Sequence, residues 1–301
     1  MNILVTGGTV FVSRFTAEYF AMKGHQVFTL NRGNRPQPEG VTPILADRHA
    51  LGDALKGIHF DAVLDITAYT AEDVRDLLDG LTSFDDYILI SSSAVYPEIN
   101  PQPFTEDQPC GPNLHWGAYG TNKLAAEETL QSRVPGAYIL RPPYLYGPME
   151  NLYRSIYVFE CAESGLPFPI PQRDIQLQFF HVEDLCRFME FLLQQHPAEH
   201  IYNVGDPNPV SISEWVSLCY KAAGLPLHTI TVGDDHPRWA YFPFRDYEYR
   251  LDVTRQTALL PETKSLSVGL REEYEWFCTH REEITRKEYL SYLNEYLIQT
   301  T

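Results

Sequence analysis

Asn2-Ile3-Leu4-Val5-Thr6-Gly7-Gly8-Thr9-Val10-Phe11 is the stretch whose reading decides the fold. Asn2 to Val5 reads as a short apolar strand and Thr6 to Thr9 as a turn. Phe11 to Met22 has helical periodicity, with Gly24 as its C-terminal cap. Gln26-Val27-Phe28-Thr29-Leu30 follows as a second strand. Strand, glycine turn, helix, strand is the order of a dinucleotide-binding unit, in which N–H groups at the helix N-terminus hold phosphates. Cofactor contacts are therefore expected at Gly7, Gly8, Thr9, Val10 and Phe11. The glycine fingerprint is incomplete: Gly7 supplies its first position, while Val10 and Ser13 stand where the later two would fall. Val10 puts a side chain where backbone would approach the pyrophosphate, which predicts weaker binding or a displaced cofactor.

Strand two ends in Asn31-Arg32-Gly33-Asn34-Arg35. A carboxylate there would bind the adenosine ribose hydroxyls and favour NAD. Asn31 and Arg32 favour NADP slightly instead, with Arg32 and Arg35 meeting a 2′-phosphate; the competing reading is two solvated loop arginines. Asp47, after the strand-like run Thr42 to Ala46, is expected beside the adenine.

Strand and helix go on alternating: Asp61 to Ile66, Ala71 to Leu81, Tyr87 to Ile90, Tyr119 to Gln131, Ala137 to Leu140. This order specifies an α/β fold, a Rossmann doubly wound parallel sheet with sites at the C-terminal ends of its strands. After Gly147-Pro148 the pattern loosens. Helices are expected at Leu152 to Ser164, Val182 to Gln195, Ser213 to Ala223, Arg271 to Phe277 and Glu282 to Leu297, with a strand at Ile201 to Val204. The dinucleotide-binding domain is placed at 1–148 plus about 177–205, and a smaller substrate domain at 149–176 and 206–301.

The 301 residues are 44% hydrophobic and 21% charged, ordinary for a globular protein with a real core. No stretch approaches the roughly 20 apolar residues of a membrane span, and the first residues enter a strand at once rather than a signal peptide. The five cysteines are scattered and form no CxxC, which points to reduced thiols in a cytoplasmic protein and to no metal site. A net charge of −17 argues against a broad nucleic-acid surface without excluding a local basic cleft.

Tyr119-Gly120-Thr121-Asn122-Lys123 opens its helix with Tyr119 and Lys123 on one face. A neighbouring ammonium favours a phenolate, so the pair is expected to handle a proton nearer neutral pH than a free phenol. Upstream, Ile88-Leu89-Ile90 ends in Ser91-Ser92-Ser93, where a hydroxyl could hold a substrate oxygen beside Tyr119.

Six motifs in order carry a resemblance: Thr6-Gly7-Gly8-Thr9, Ser91 to Tyr96, Tyr119 with Lys123, Arg141-Pro142-Pro143-Tyr144-Leu145-Tyr146-Gly147-Pro148, Phe180-His181-Val182-Glu183-Asp184-Leu185 and Tyr202-Asn203-Val204-Gly205. Over nearly its whole length the chain resembles the extended short-chain dehydrogenase/reductases of the NAD-dependent epimerase/dehydratase family. Gly8 to Phe11, Leu30 to Gly33 and Phe242 to Asp246 are similar to an atypical branch, the chloroplast stem-loop-binding proteins and their bacterial relatives.

The resemblance implies Tyr119 as acid/base, Lys123 as its partner and ribose ligand, Ser92 as the hydroxyl beside them, and Pro142 at the cofactor. Ser93, Tyr144, Arg238 and Arg245 fall on the substrate side. It implies an NAD(P)-dependent epimerase or reductase acting on a nucleotide sugar or related small molecule, and a homodimer pairing through Tyr119–Gln131 and Ala71–Leu81. Family dehydratases carry an Asp-Glu pair where this chain has Ser93 and Ala94, which argues against a sugar 4,6-dehydratase. Tyr144 replaces an Asn common in nucleotide-sugar enzymes. The alternative is a non-catalytic protein on the same fold that binds RNA or a partner. His181 is read as structural, and His236 to Trp239 with Arg245 either as a phosphate clamp or as structural ion pairs.

Overall fold

The computed structural model describes residues 1–298. Its centre is a seven-stranded parallel sheet. In chain order the elements of this half are β1 (Asn2–Thr6), α1 (Phe11–Met22), β2 (Gln26–Asn31), β3 (Val41–Leu45), β4 (His59–Asp65), α2 (Ala71–Gly80), β5 (Ser83–Ile90), α3 (Ala118–Arg133) and β6 (Tyr138–Arg141). The strand order is β11-β6-β5-β4-β1-β2-β3, where β11 (Ile201–Asn203) arrives some 60 residues after β6. Order reverses at β1, so the crevice at its C-terminal end is the topological switch point.

The strands are buried on both faces, hence their continuous apolar runs. One face packs Ile3, Val5, Ala62, Ile88 and Leu140 against α1 and α5 (Val182–Gln195). The other packs Leu4, Val63, Leu89 and Ile139 against Val74 and Leu77 of α2 and Ala126 and Leu130 of α3. Helix α2 starts where expected because Thr70 and Asp73 form a reciprocal capping box, worth about 1 kcal/mol.

Between α3 and α5 lie β7 (Tyr144–Tyr146), α4 (Ser155–Glu163), β8 (Phe168–Pro171), β9 (Gln176–Leu177) and β10 (Phe179–His181). Beyond β11 come β12 (Val210–Ser211), α6 (Ile212–Ala223), β13 (Thr229–Val232), α7 (Arg238–Tyr241), α8 (Thr254–Leu259), α9 (Leu266–Thr279) and α10 (Tyr289–Tyr292). The small strands pair as β10 with β7, β12 with β9, and β13 with β8. They enclose a separate aromatic core around Tyr157, Phe168, Trp215, Phe242 and Phe244.

Two expected helices need correcting. The one read from Leu152 begins only at Ser155, because Glu150 accepts the N–H groups of Leu152 and Arg154 and Tyr153 has φ 58°. The one read from Glu282 to Leu297 is broken into a short turn at Arg281–Glu283, α10, and a wider-wound Leu293–Leu297. Ile284 is extended, and Arg286 donates to Glu160 of α4 at 2.8 Å, drawing the segment across the domain.

His181 is structural as expected: it is 2% exposed, and its Nδ1 accepts the Glu183 N–H to cap α5. Burial holds its pKa down to about 3, so the ring is neutral.

Candidate active site

The glycine turn is fixed by close approach. Gly7 and Gly8 have φ of 86° and 85°, a region that costs any other residue strain. A Cβ on Gly7 would meet Thr67 and Ser13 at under 3 Å, and one on Gly8 would meet Thr29 at 2.4 Å. The Thr6 hydroxyl donates to buried Asp65 and accepts from the N–H groups of Ile66 and Thr67, tying the end of β1 to that of β4. Val10 caps α1 in an extended conformation without a side-chain hydrogen bond.

A cavity of about 310 Å³ opens beside this turn. Val10, Phe11, Ser92, Tyr119, Lys123 and Pro142 all line it, drawn from the β1 turn, the end of β5, the first turns of α3 and the end of β6. The remaining expected residues lie outside it. Asn31 spans the turn: its amide donates to Gly7 O at 2.8 Å and to Gln37 at 2.9 Å. Arg32 and Arg35 are exposed, and Asp47 caps a short turn by accepting the His49 N–H. Ser93 is buried, donating its N–H to Pro142 O. Tyr144 is packed among Trp116, Phe179, Phe244 and Tyr249. Arg238 pairs with Asp246 at 2.9 Å, and Arg245 lies over the Trp116 ring.

The proton-handling pair differs from expectation in one respect. Lys123 is 2% exposed, and its ammonium donates to Ala68 O at 2.6 Å and Ile90 O at 2.9 Å, over the Tyr69 ring. Its ammonium thus reaches those two carbonyls, and no hydrogen bond joins it to the Tyr119 hydroxyl among the described residues. Burial raises the Tyr119 pKa, opposed by a hydrogen bond with Ser92 and by the charge of Arg154. The Tyr119 residue is 38% exposed, and it lines the cavity together with Ser92. At neutral pH the phenol therefore keeps its proton and can give it to an alkoxide.

Burial pulls Lys123 down to about 8, against the pull of Asp65 and Glu127 toward the charged form. The NMR shift of its Cε should titrate with a midpoint near pH 8. The unfolded chain holds that proton up to the ordinary lysine value of 10.5. Between the two values unfolded protein binds more protons, so stability should rise with pH across that window, and Lys123→Met should remove the rise. A midpoint at the ordinary value would show the ammonium to be solvated.

Beneath the cavity runs a buried polar network. Arg141 forms a two-pronged pair with Glu127, at 3.0 and 2.6 Å, and donates to Tyr96 at 2.8 Å. Ser91 donates to the same Glu127, and Tyr96 donates to Asn203 of β11. The network joins β5, α3, β6 and β11 just under Ser92.

Sequence reasoning missed Arg154, which lines the cavity from the loop before α4. The misread start of that helix hid it.

A parallel doubly wound sheet with a glycine turn at its switch point, and with Ser, Tyr and Lys gathered in the cavity beside it, defines the class of Rossmann-fold dinucleotide-binding proteins. A profile of the NAD dependent epimerase/dehydratase family matches residues 70–205. The chain is 30% identical to the chloroplast stem-loop binding protein of 41 kDa b from Arabidopsis thaliana, over 91% of this chain and 78% of that one. It belongs to the NAD-dependent epimerase/dehydratase family. Among solved structures it superposes on dTDP-glucose 4,6-dehydratase from Bacillus anthracis in complex with NAD, with a TM-score of 0.75, 17% identity and coverage of 94% and 98% of the two chains. It also superposes on UDP-glucuronic acid 4-epimerase from Bacillus cereus in complex with UDP-glucuronic acid and NAD, with a TM-score of 0.73, 20% identity and coverage of 93% and 99%. No helix among the described residues is long and apolar enough to cross a membrane.

Proposed function

We propose that the protein is an NAD(P)-dependent epimerase or reductase that moves hydride between the nicotinamide and a hydroxyl/keto carbon of a nucleotide sugar or related small molecule. The observation that carries this is the meeting of Ser92, Tyr119 and Lys123 with Val10, Phe11 and Pro142 in one cavity. The dinucleotide would lie along the turn from Gly7 to Phe11, with Asn31, Arg32 and Asp47 toward its adenosine end; it supplies the hydride. Ser92 orients the substrate oxygen, Tyr119 gives or takes its proton, and Lys123 faces the nicotinamide ribose. Residues 149–176 and 206–301 form the substrate side, with Ser93, Tyr144, Arg238 and Arg245 behind the reacting centre.

Among the described residues lining the cavity there is no Asp or Glu. This supports a reaction without water elimination, which needs further acid/base groups. The homodimer implied by the resemblance would pair largely polar surface, since Glu72, Arg75, Asp79 and Glu128 face outward from α2 and α3.

Purified protein given UDP-sugars with NAD or NADP should interconvert epimers or reduce a keto sugar, with modest preference for NADP. Arg32→Ala should erase that preference. Asn31→Asp is a poorer probe, because an aspartate cannot donate to Gly7 O and Gln37. The similarity to a stem-loop binding protein favours a second reading, RNA binding on an inherited redox fold. Absence of turnover together with a salt-sensitive RNA shift would select it, against a net charge of −17.

A further inference from the structure

Arg154 stands apart from the other arginines of the interior. Arg141 is neutralised by Glu127 and Arg48 by Asp65. Among the described residues no carboxylate oxygen lies within ion-pair distance of the Arg154 guanidinium. Its one side-chain hydrogen bond among the described residues is a long 3.3 Å contact to Leu145 O. The guanidinium carbon lies over two rings, 4.9 Å from the centre of Tyr144 and 5.5 Å from that of Phe244. Such stacking leaves the N–H fork free to meet a planar or tetrahedral anion.

The loop that presents Arg154 is held in an unfavourable shape. Met149 and Tyr153, neither of them glycine, have φ of 70° and 58°. Buried carboxyl groups secure it: Glu150 accepts the N–H groups of Leu152 and Arg154, and Ser155 donates to Glu273. Glu150 faces the guanidinium through space but spends its oxygens on backbone amides. Strain stabilised in this way fixes a side chain at one place on a cavity wall. That place is near the chemistry, because the Arg154 charge acts on the Tyr119 phenol and both residues line the same cavity.

We infer that Arg154 is a specificity-determining residue that binds an anionic group, carboxylate or phosphate, carried on the sugar itself close to the reacting carbinol. Arg238 and Arg245 lie outside the cavity that Arg154 lines; on the nucleotide-sugar reading they would serve the distal, diphosphate part of the substrate, which leaves Arg154 for a charge on the sugar. The inference rests on the nucleotide-sugar reading and narrows it to acidic sugars.

The test is calorimetry on NAD-loaded protein with UDP-glucuronate, UDP-glucose and glucose 6-phosphate, for wild type, Arg154→Gln and Arg154→Lys. Wild type should prefer UDP-glucuronate to UDP-glucose by roughly 10- to 100-fold, the range set by one charge-assisted hydrogen-bonded contact. Arg154→Gln should bring the two UDP-sugars to within about twofold of each other, and Arg154→Lys should recover part of the preference. If glucose 6-phosphate alone shows the Arg154 dependence, the anion is a phosphate rather than a carboxylate. Unfolding temperature and NAD affinity, measured on each variant, should stay at the wild-type values. Equal binding of acidic and neutral UDP-sugars by wild type with no Arg154 dependence of glucose 6-phosphate binding, or the same loss for all three ligands in Arg154→Gln, overturns the inference and leaves the redox reading standing. If none of the three ligands binds wild type, the nucleotide-sugar reading falls, and the inference with it.

Discussion

Tyr119→Phe should remain folded, bind the dinucleotide as wild type does, and lose turnover by roughly 10²- to 10⁴-fold, the range of a positioned proton donor. The substitution removes one hydroxyl. The ring contacts with Tyr69 at 6.4 Å and Trp116 at 6.1 Å do not need that hydroxyl. Because burial holds the proton on Tyr119, the loss should be clear in the reductive direction at neutral pH, where an acid is required. Oxidation should speed up as pH rises, since more of the phenol is then ionised. Ser92→Ala should cost less, because the proton donor stays and only its orienting partner goes. Initial rates with the substrate found by the UDP-sugar screen settle the order. Full activity in Tyr119→Phe would place proton transfer elsewhere, and the cavity would lose its assignment.

The second large effect concerns stability. Arg141→Met should destabilise the protein by about 3–5 kcal/mol, the cost of leaving one member of a buried ion pair uncompensated. Arg141 and Glu127 are 3% and 1% exposed, so water cannot solvate the carboxylate left behind. The Tyr96 hydroxyl would lose a donor as well. Arg141→Met combined with Glu127→Leu should recover much of the loss, because the desolvated charge disappears along with its partner. Denaturant unfolding of the two single variants and the double variant measures this directly. A single variant as stable as wild type would mean that the pair contributes nothing to the fold.

The sheet was legible in the sequence because parallel strands buried on both faces are written as apolar runs, and because the caps are explicit. Gly24, read as the cap of the first helix, follows the end of α1. The gathering of Val10 and Phe11 with Tyr119 and Lys123 was legible because strand ends in such a sheet converge on its switch point, whereas Ser92 and Pro142 were picked out by the family resemblance. The far half was less so. Strands of two to four residues such as Gln176–Leu177 and Phe168–Pro171 leave no periodicity, and prolines interrupt the second. The direction of a lysine ammonium is likewise not encoded in spacing. A Tyr and a Lys one turn apart predict a shared face, and they share one. It is the carbonyls of Ala68 and Ile90 that decide where the charge points. Arg154 escaped notice because side-chain capture of two amides by Glu150 unwinds what the pattern reads as helix.

The late arrival of β11 has a consequence for the protein's biosynthesis. Until the ribosome has delivered Ile201–Asn203, the nascent sheet ends at β6 with the backbone groups of Tyr138–Arg141 lacking their outer neighbour. Asn203 also brings the acceptor for Tyr96 and the N–H that meets Glu106, so the polar network is completed in the same event. The sheet and its polar network are therefore complete only once residue 203 has been made. Until then the edge of β6 is the outermost of the sheet, the place where an unpaired strand is open to other partners.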